Sequence, residues 1–443
     1  MTTNSYRYIL SFLSMLPPSC IYIMLAIACC NLLSCQGGIT SIPEGEWILY
    51  LGYNSIHSIN SCDVAVGPDG QLVFATRYSR SFVDDQSKLL FQTHGWNRQI
   101  ALIKIDSSGH LIDRITIGNA DAFVDFNSVE TDQGGNIYIS GDFCGEISFY
   151  SPGIGVHITA DHTDGYLCKF NNDFECLWAV QSFVLANFAV ADDGNVYAIA
   201  DDHDTSGHKC RILKISVNGD IEWETEAYGR TQFNDIHVTH DGRILVVGDV
   251  LNGNTRIFQD VDGIECPQGC YPEDQDEVDN KSFLVEIDET GNCQNILWIP
   301  YLVKSIDSDS ENICVAGSHY VLLTDLEYSG VWLRRWNSTA EFKINDVAMV
   351  SSGNIYATGM FKDSIDFDPG QSVDYWRTER GFAGFLVGLD NEGDYLGVNI
   401  WNDNSNSQNR GISIAEGEIG EIYVTGSLRA ENLLMKFSEN EMF

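Results

Sequence analysis

A short motif of the form Gly-Asn-Ile-Tyr-x-x-Gly recurs along the chain and constrains its fold more than any other feature of the sequence. Its clearest copy occupies residues 353–359. Further copies lie at residues 135–141, 194–197, 242–248 and 421–426, with two weaker ones at 70–74 and 311–317. Self-similarity of this kind is the signature of repeat architectures, in which each repeat forms one structural unit. The sequence therefore predicts seven copies of a single unit.

Each repeat contains four strand-like runs, which we name strands A to D in chain order. Strand B is the motif itself, and strand A precedes it through a tight turn whose glycine supplies the positive φ of hairpin turns. Strand C follows a variable loop and leads through a second tight turn into strand D. No stretch has the pattern of a long amphipathic helix. This order predicts an all-β fold, a seven-bladed β-propeller with four antiparallel strands per blade. Tandem hairpin sandwiches are the structural alternative.

The two ends of the chain predict how the ring closes. The last repeat ends after its strand C, near residues 434–438, and has no strand D. Residues 46–52 resemble the strand D of residues 222–229, although no repeat precedes them. We expect this N-terminal strand to join the last blade, which removes the open sheet edges of the ring. The prediction is one propeller domain over residues 35–443, with an acidic, cysteine-containing insertion at about 249–282.

Residues 1–34 have the character of a signal peptide and are set apart from the fold. Arg7 is the only charged residue before Glu44, and residues 20–33 are almost wholly apolar. The segment Leu32-Leu33-Ser34-Cys35 resembles the lipobox of bacterial lipoproteins, and this resemblance implies that Cys35 carries the lipid. Cys29 is a competing site, and a plain signal peptide or an uncleaved anchor are the alternatives. No later stretch approaches the roughly 20 apolar residues of a membrane helix.

The charge of the chain restricts its partners. There are 63 acidic and 25 basic residues, for a formal net charge of −38. Nucleic acids and anionic membrane surfaces are bound by basic patches, so the composition argues against both and leaves membrane contact to an N-terminal lipid anchor. Two readings of the acidity stay open, namely solvation at high salinity and the binding of cations or cationic partners.

The insertion at about 249–282 holds two candidate sites. Cys266 and Cys270 flank a Pro/Gly loop, and in an exported protein such a pair can close a small disulfide ring. Asp274, Asp276 and Asp279 belong to an acidic run whose oxygen atoms suit Ca²⁺. A solvated acidic loop is the alternative to a calcium site. The other cysteines show no zinc-like spacing, and we expect most of them to be buried as small apolar residues.

A third candidate site lies on strand A, where small residues are expected because the blades crowd together near the propeller axis. Equivalent positions are occupied by Ala65, Ala189, Ala348 and Ala415, whereas Glu130 and His237 replace alanine in blades two and four. We expect these two side chains to line the central channel, either as hydrogen-bonded polar residues or as ligand contacts. The chain contains none of the common nucleophile, zinc-protease or phosphate-loop motifs. No catalytic residue or cofactor other than calcium is predicted.

The repeat resembles the bacterial seven-bladed β-propeller repeat of exported and cell-surface proteins, often called the SBBP repeat. The resemblance is carried by the strand A of Asn345-Asp346-Val347, the strand B motif and residues 361–370, and it spans roughly residues 45–438. It implies a propeller scaffold outside the cytoplasm, with no shared catalytic residues. A second resemblance, to quinoprotein propellers, comes from tryptophans in strand D.

Together these features predict a lipid-anchored binding scaffold at the outer membrane, the cell surface or the periplasmic side of a membrane. Its partner would be an unknown protein or carbohydrate. The B–C and D–A connections carry most of the length variation, and insertions gathered on one face are where repeat proteins usually bind. Neutral drift of exposed loops is the alternative explanation of this variation. The alternative is a propeller-fold enzyme of the polysaccharide lyase, glycosidase or quinoprotein type.

Overall fold

Seven antiparallel four-stranded sheets make up the fold in the computed structural model, and one of them, in blade two, is extended by a short fifth strand. The predicted seven-bladed β-propeller is therefore confirmed. The structure describes residues 47–51, 62–78, 81–83, 89–92, 98–119, 122–149, 155–204, 207–227, 231–250, 281–336, 341–403, 406–418, 420–429 and 431–440. In these ranges there is no helix long and apolar enough to span a membrane.

The strands follow the A-to-D order of the repeat, and short extra strands lie in the connections. The chain begins with β1 (Ile48–Leu51) and continues through blade one, which is β2 (Cys62–Val66), β3 (Leu72–Tyr78), β6 (Gln99–Ile105) and β7 (Leu111–Ile117), with β4 (Ser81–Val83) and β5 (Leu89–Gln92) between its strands B and C. Blade two follows β8 (Phe123–Val124) and contains β9 (Ser128–Thr131), β10 (Ile137–Phe149), β11 (Val156–Phe170) and β12 (Cys176–Ser182). Blade three contains β13 (Val184–Val190), β14 (Val196–Asp204), β15 (Gly207–Ile215) and β16 (Ile221–Ala227).

The second half of the ring repeats this order. Blade four contains β17 (Thr231–Val238), β18 (Ile244–Val250), β19 (Lys281–Ile287) and β20 (Cys293–Ile299). Blade five contains β21 (Val303–Ser308), β22 (Asn312–Gly317), β23 (Tyr320–Asp325) and β24 (Gly330–Arg335). Blade six contains β25 (Phe342–Met349), β26 (Ile355–Phe361), β29 (Ala383–Leu389) and β30 (Tyr395–Trp401), with β27 (Ser364–Asp366) and β28 (Tyr375–Arg377) inserted. Blade seven contains β31 (Arg410–Glu416), β32 (Glu421–Leu428) and β33 (Glu431–Ser438).

The first strand of the chain completes the last blade, as predicted from the two ends of the sequence. Strand β1 pairs antiparallel with β33, with Ile48 opposite Met435 and Leu51 opposite Asn432. The backbone N–H of Lys436 also donates to the carbonyl of Trp47 (3.1 Å). Since β1 covers the outer edge of β33, blade seven gains the strand D that its own repeat lacks.

Burial explains why strands B and C read as continuous apolar runs and strand D does not. Every residue of β18 and β29 is buried, because the middle strands are covered by a neighbouring blade on both faces. By contrast, β7 is mostly exposed or half-buried, as the outermost strand of its blade. The core is consequently a series of apolar layers between adjacent blades.

Many of the acidic residues have a structural role in the turns. The A–B and C–D turns place an aspartate whose carboxylate accepts the backbone N–H two residues further on, the local bond that makes Asp favourable in turns. Asp69 accepts from Gln71, Asp106 from Ser108, and Asp288 from Thr290, at 2.9–3.1 Å. The same bond occurs at Asp132, Asp193, Asp309, Asp325 and Asp390. Part of the acidity is thus turn chemistry repeated from blade to blade.

The tyrosine of the repeat motif joins strands B, C and D of one blade. In blade two the centroids of the Tyr138 and Trp178 rings lie 6.0 Å apart, and Lys169 Nζ lies 4.7 Å from the centroid of the Tyr138 ring. The Tyr138 hydroxyl donates to Asp132 Oδ2 (2.9 Å). Equivalent ring pairs are Tyr197 with Trp223 and Tyr423 with Trp47.

The tryptophan early in strand D links its blade to the next one. Trp178 Nε1 donates to the carbonyl of Val217 in the C–D turn of blade three (2.9 Å). Its ring covers Gly219, where a Cβ would lie 2.9 Å from the ring carbon Cδ2. The same arrangement pairs Trp47 with Gly109, Trp223 with Gly291 and Trp332 with Gly393. Trp298 lies later in its strand and packs instead against Phe283.

Candidate functional site

The A strands of neighbouring blades contact one another and so line the inside of the ring. At one position of this strand, three blades carry an aspartate whose Oδ2 accepts a backbone N–H of the following blade. These bonds run from Val129 to Asp63 (3.0 Å), from Ile306 to Asp235 (2.9 Å) and from Ile414 to Asp346 (2.8 Å). The carboxylates therefore tie adjacent blades together at the axis.

In the other blades the same position is occupied by serine or asparagine, whose short side chains donate hydrogen bonds. Ser413 Oγ donates to Asp63 Oδ1 (2.5 Å), Asn187 Nδ2 to Asp235 Oδ1 (2.6 Å) and Ser305 Oγ to Asp346 Oδ1 (2.7 Å). Asp63 also accepts from Ser128 Oγ (3.0 Å) and from the backbone N–H of Val64 (2.8 Å). Each blade thus carries either a carboxylate or a donor side chain at this position of strand A. We name this set the axial ring, and it consists of Asp63, Ser128, Asn187, Asp235, Ser305, Asp346 and Ser413.

The sequence-predicted Glu130 and His237 lie two residues further along strand A. Glu130 Oε2 accepts the backbone N–H of Val190 (2.8 Å) and supplies the tie between blades two and three. His237 Nδ1 lies 3.5 Å from Asp307 Oδ1 in blade five, and the two side chains are 26 % and 23 % exposed. Asp307 Oδ2 in turn accepts the backbone N–H of Met349 (2.7 Å). Their role as ligand contacts stays a prediction.

Asp307 was missed by the sequence comparison. It occupies the position of Glu130 and His237 on strand A, but the repeat of blade five departs most from the motif, so its strand A could not be aligned. The sequence does contain a signal for it. Glu130, His237 and Asp307 all lie six to eight positions before the second residue of strand B in their own blade. The structure thus places three polar side chains at this level, in blades two, four and five, and it brings His237 and Asp307 close together, whereas the other four blades carry alanine.

Burial near the axis shifts the acid–base properties of these groups. Desolvation raises the pKa of Glu130 to about 8, against the hydrogen bond from Val190. It also raises the pKa of Asp235 and of Asp307 to about 7, and that of Asp346 to about 6. The same burial lowers the pKa of His237 to about 4, so this imidazole is neutral at pH 7. Several carboxyl groups near the axis therefore titrate close to neutral pH.

The chemistry of this cluster is that of hydrogen bonds between blades. Its carboxylate oxygens are directed at backbone N–H groups and short side-chain donors of adjacent strands. Within the part of the chain that the structure describes, no group of three or more His, Cys, Asp or Glu side chains could hold a metal ion.

The two faces of the propeller differ in their connections. We name the side with the A–B and C–D turns the turn face and the side with the B–C and D–A connections the loop face. The described turns are tight, with hydrogen bonds such as Gly194 N to Ala191 O (2.8 Å) and Gly219 N to Ser216 O (2.9 Å). The loop face carries the β4–β5 hairpin, the extended ends of β10 and β11, the β14–β15 tip and the β27–β28 hairpin.

Six of the predicted site residues lie outside the residues that the structure describes. They are Cys35, Cys266, Cys270, Asp274, Asp276 and Asp279. The lipid anchor, the disulfide and the calcium site therefore stay predictions. Of the seven free cysteines in the described ranges, five are buried, in keeping with the expectation that most of them are packed as small apolar residues.

No protein-family model matches the chain, and no curated protein sequence is significantly similar to it. Several solved structures are similar at low identity. A protein of unknown function from Bacteroides caccae has 16 % identity and a TM-score of 0.37, over 70 % of this chain and 91 % of that one. The Pan2 WD40 domain of Neurospora crassa has 9 % identity and a TM-score of 0.47, over 85 % and 89 %. BamB from Moraxella catarrhalis has 9 % identity and a TM-score of 0.39, over 86 % and 99 %. These values carry no conclusion about activity or partners.

Proposed function

We propose that this chain is an exported, lipid-anchored scaffold that binds a partner protein on its loop face. The observation that carries the proposal is that long and short connections lie on opposite faces of the propeller. Four hairpins or hairpin extensions stand on the loop face, whereas the turn face consists of tight turns. Rigid scaffolds commonly place their binding residues on such loops, because the framework holds the loops in position.

Exposed apolar side chains on the loop face support this role. Leu89, at the start of β5, is 49 % exposed, and Phe123 in β8 is 42 % exposed. The Arg98 guanidinium lies 5.4 Å from the centroid of the Phe123 ring. Aromatic, apolar and arginine side chains are the usual anchors of protein interfaces.

The anchoring part of the proposal depends on the leader and on the resemblance to the exported SBBP repeat proteins. A lipid on Cys35 would hold the propeller at a membrane surface without a spanning helix. We expect labelled palmitate to be incorporated into the full chain and lost in the Cys35→Ser variant. Labelling that persists in this variant, or a mature N-terminus at another residue, would contradict the anchor.

The scaffold role is tested by site-specific photo-cross-linking in the full-length protein. A photoreactive amino acid replaces Leu89 or Phe123 on the loop face, or Val217 or Leu177 on the turn-face side. The second pair is a matched control, since its members are 43 % and 50 % exposed. We expect discrete adducts with a partner protein only from the loop face. Equal adducts from both faces, or adducts from the turn face alone, would contradict the proposal.

A further inference from the structure

The β27–β28 hairpin of blade six exposes an unusual edge on the loop face. Val373 and Tyr375 are 69 % and 68 % exposed, the highest values among the large apolar side chains of the described residues. They lie two residues apart, so they point to the same side of the extended segment, and Arg377 continues this side. An apolar side chain and an aromatic one are therefore presented to solvent next to an arginine.

The register of the hairpin shows that this strand also has backbone groups directed outward. Thr378 N donates to Asp363 O (2.8 Å), and Phe367 N donates to Asp374 O (2.9 Å). With Ile365 opposite Trp376, the hydrogen-bonded positions of this strand are the even-numbered ones, since bonding alternates along an antiparallel pair. The N–H and C=O groups of Tyr375 and Arg377 consequently point away from β27.

The hairpin is held firmly enough to present this edge. Ile365 and Phe367 are buried, and the Phe367 carbonyl accepts from Trp336 Nε1 (2.8 Å). The Tyr395 hydroxyl donates to Asp374 Oδ2 (2.5 Å). A preformed edge avoids the cost of ordering a strand when a partner binds.

Charge indicates what kind of segment fits. Asp366 lies opposite Tyr375 in the register, Asp374 accepts the hydrogen bond of the Tyr395 hydroxyl, and the charges of Asp366 and Asp368 help to raise the pKa of that hydroxyl. The whole chain has a formal net charge of −38, which steers cationic partners towards it. A strand that places basic and apolar side chains in alternation would match both the carboxylates and the exposed Val373 and Tyr375.

We propose that the outer edge of β28 is a docking site for an extended, basic segment of the partner protein, which adds to the hairpin as a third strand. The proposal rests on the loop-face function above and specifies how the partner is held. Main-chain hydrogen bonds to Tyr375 and Arg377 provide the attachment, and the side chains on the exposed face provide selectivity.

The test uses a phage-displayed library of random nine-residue peptides, selected on the full-length protein and counter-selected on Tyr375→Pro. This variant removes the outward N–H, and proline is tolerated on an edge strand where that N–H faces solvent. Tyr375→Phe, which keeps the N–H and the ring, is the matched control. Equal melting temperatures of the three proteins establish that neither substitution destabilises the propeller.

We expect the enriched peptides to alternate apolar and basic residues. Surface plasmon resonance should show at least tenfold weaker binding to Tyr375→Pro, and binding within twofold of wild type to Tyr375→Phe. Methylating alternate amide nitrogens of a selected peptide should weaken binding at least tenfold as well. A library without enrichment, or equal binding of the methylated peptide, would overturn the proposal. Concentration-dependent dimers that disappear in Tyr375→Pro would assign the edge to a second copy of the chain.

The outcome can be separated from that of the scaffold role. Loop-face photo-cross-links that persist unchanged in Tyr375→Pro would leave the scaffold role in place and refute the β28 edge. Peptide binding that depends on Tyr375, without any cross-linked partner, would retain the edge and refute the scaffold role.

Discussion

Replacing Glu130 with glutamine should stabilise the propeller, and the gain should grow with pH. Burial raises the pKa of this carboxyl from 4.5 to about 8. The folded state therefore keeps a proton that the unfolded chain releases above pH 4.5, so the contribution of Glu130 to stability falls as the pH rises towards 8. Glutamine does not titrate, yet its side-chain oxygen can still accept the Val190 N–H.

The size of the effect follows from the shift. One pKa unit corresponds to about 1.4 kcal/mol, which bounds the ionisation cost of Glu130 at about 5 kcal/mol. Solvent screens part of this cost, because Glu130 is itself only half-buried. We expect Glu130→Gln to raise the free energy of unfolding by about 2 kcal/mol more at pH 8.5 than at pH 5.5.

Equilibrium urea unfolding at the two pH values measures the difference directly. The control is Glu327→Gln, which removes the same charge from an exposed position in the C–D turn of blade five. If Glu130→Gln changes stability equally at both pH values, or destabilises the protein at pH 8.5, then the carboxyl is not held neutral by burial and the reasoning is wrong.

Three further predictions concern the ties between blades, each measured by urea unfolding. Gly219→Ala should lower the free energy of unfolding by about 2–4 kcal/mol, because the new Cβ meets the Trp178 ring and the φ of +89° disfavours alanine. The control is Gly330→Ala, which should change the stability little because a Cβ at Gly330 meets no atom within 4 Å. Replacing residues 47–51 by a Gly/Ser segment should lower stability by about 3 kcal/mol or more, since it uncovers β33, and unfolding at the parental urea concentration would contradict closure. Asp63→Asn should destabilise by about 3 kcal/mol, because an amide cannot accept all four bonds that the carboxylate accepts; an unchanged midpoint would refute the tie.

Wild-type stability should itself fall between pH 6.5 and 8. At pH 6.5 His237 is neutral in the folded state but still partly protonated in the unfolded state, so it adds a small opposite slope of at most about 0.4 kcal/mol. Asp307 and Glu130, whose pKa values burial raises to about 7 and about 8, lose protons in the folded state there. A free energy of unfolding that is constant or rises across this window would show that these groups are already ionised.

The comparison of repeats predicted the fold because the repeat unit is defined by local rules. The turn glycines at residues 194 and 353 adopt the positive φ that tight turns need, at +81° and +87°. The apolar runs of strands B and C correspond to strands buried on both faces. These are properties of neighbouring residues in the chain, and they can be read without knowing which blades touch.

The same comparison was incomplete where a residue's role depends on another blade. Trp178 and Trp298 both lie in a strand D, but only Trp178 covers the glycine of the next blade. Asp307 escaped notice because blade five preserves the motif poorly, although its carboxylate stands 3.5 Å from His237. These two residues are far apart in the chain, and the packing of blade four against blade five brings them together.

Local periodicity, turn chemistry, the extra strand at the N-terminal end and the strand D missing from the last repeat were enough to specify seven blades and the closure of β1 on β33. They could not specify the axial ring. Asp63 is held by Ser413, 350 positions away, and the pKa values near the axis come from desolvation by several blades at once. Burial and long-range hydrogen bonds are properties of the assembled ring, so the chemistry at its centre, and the open edge of β28, became visible only in the tertiary structure.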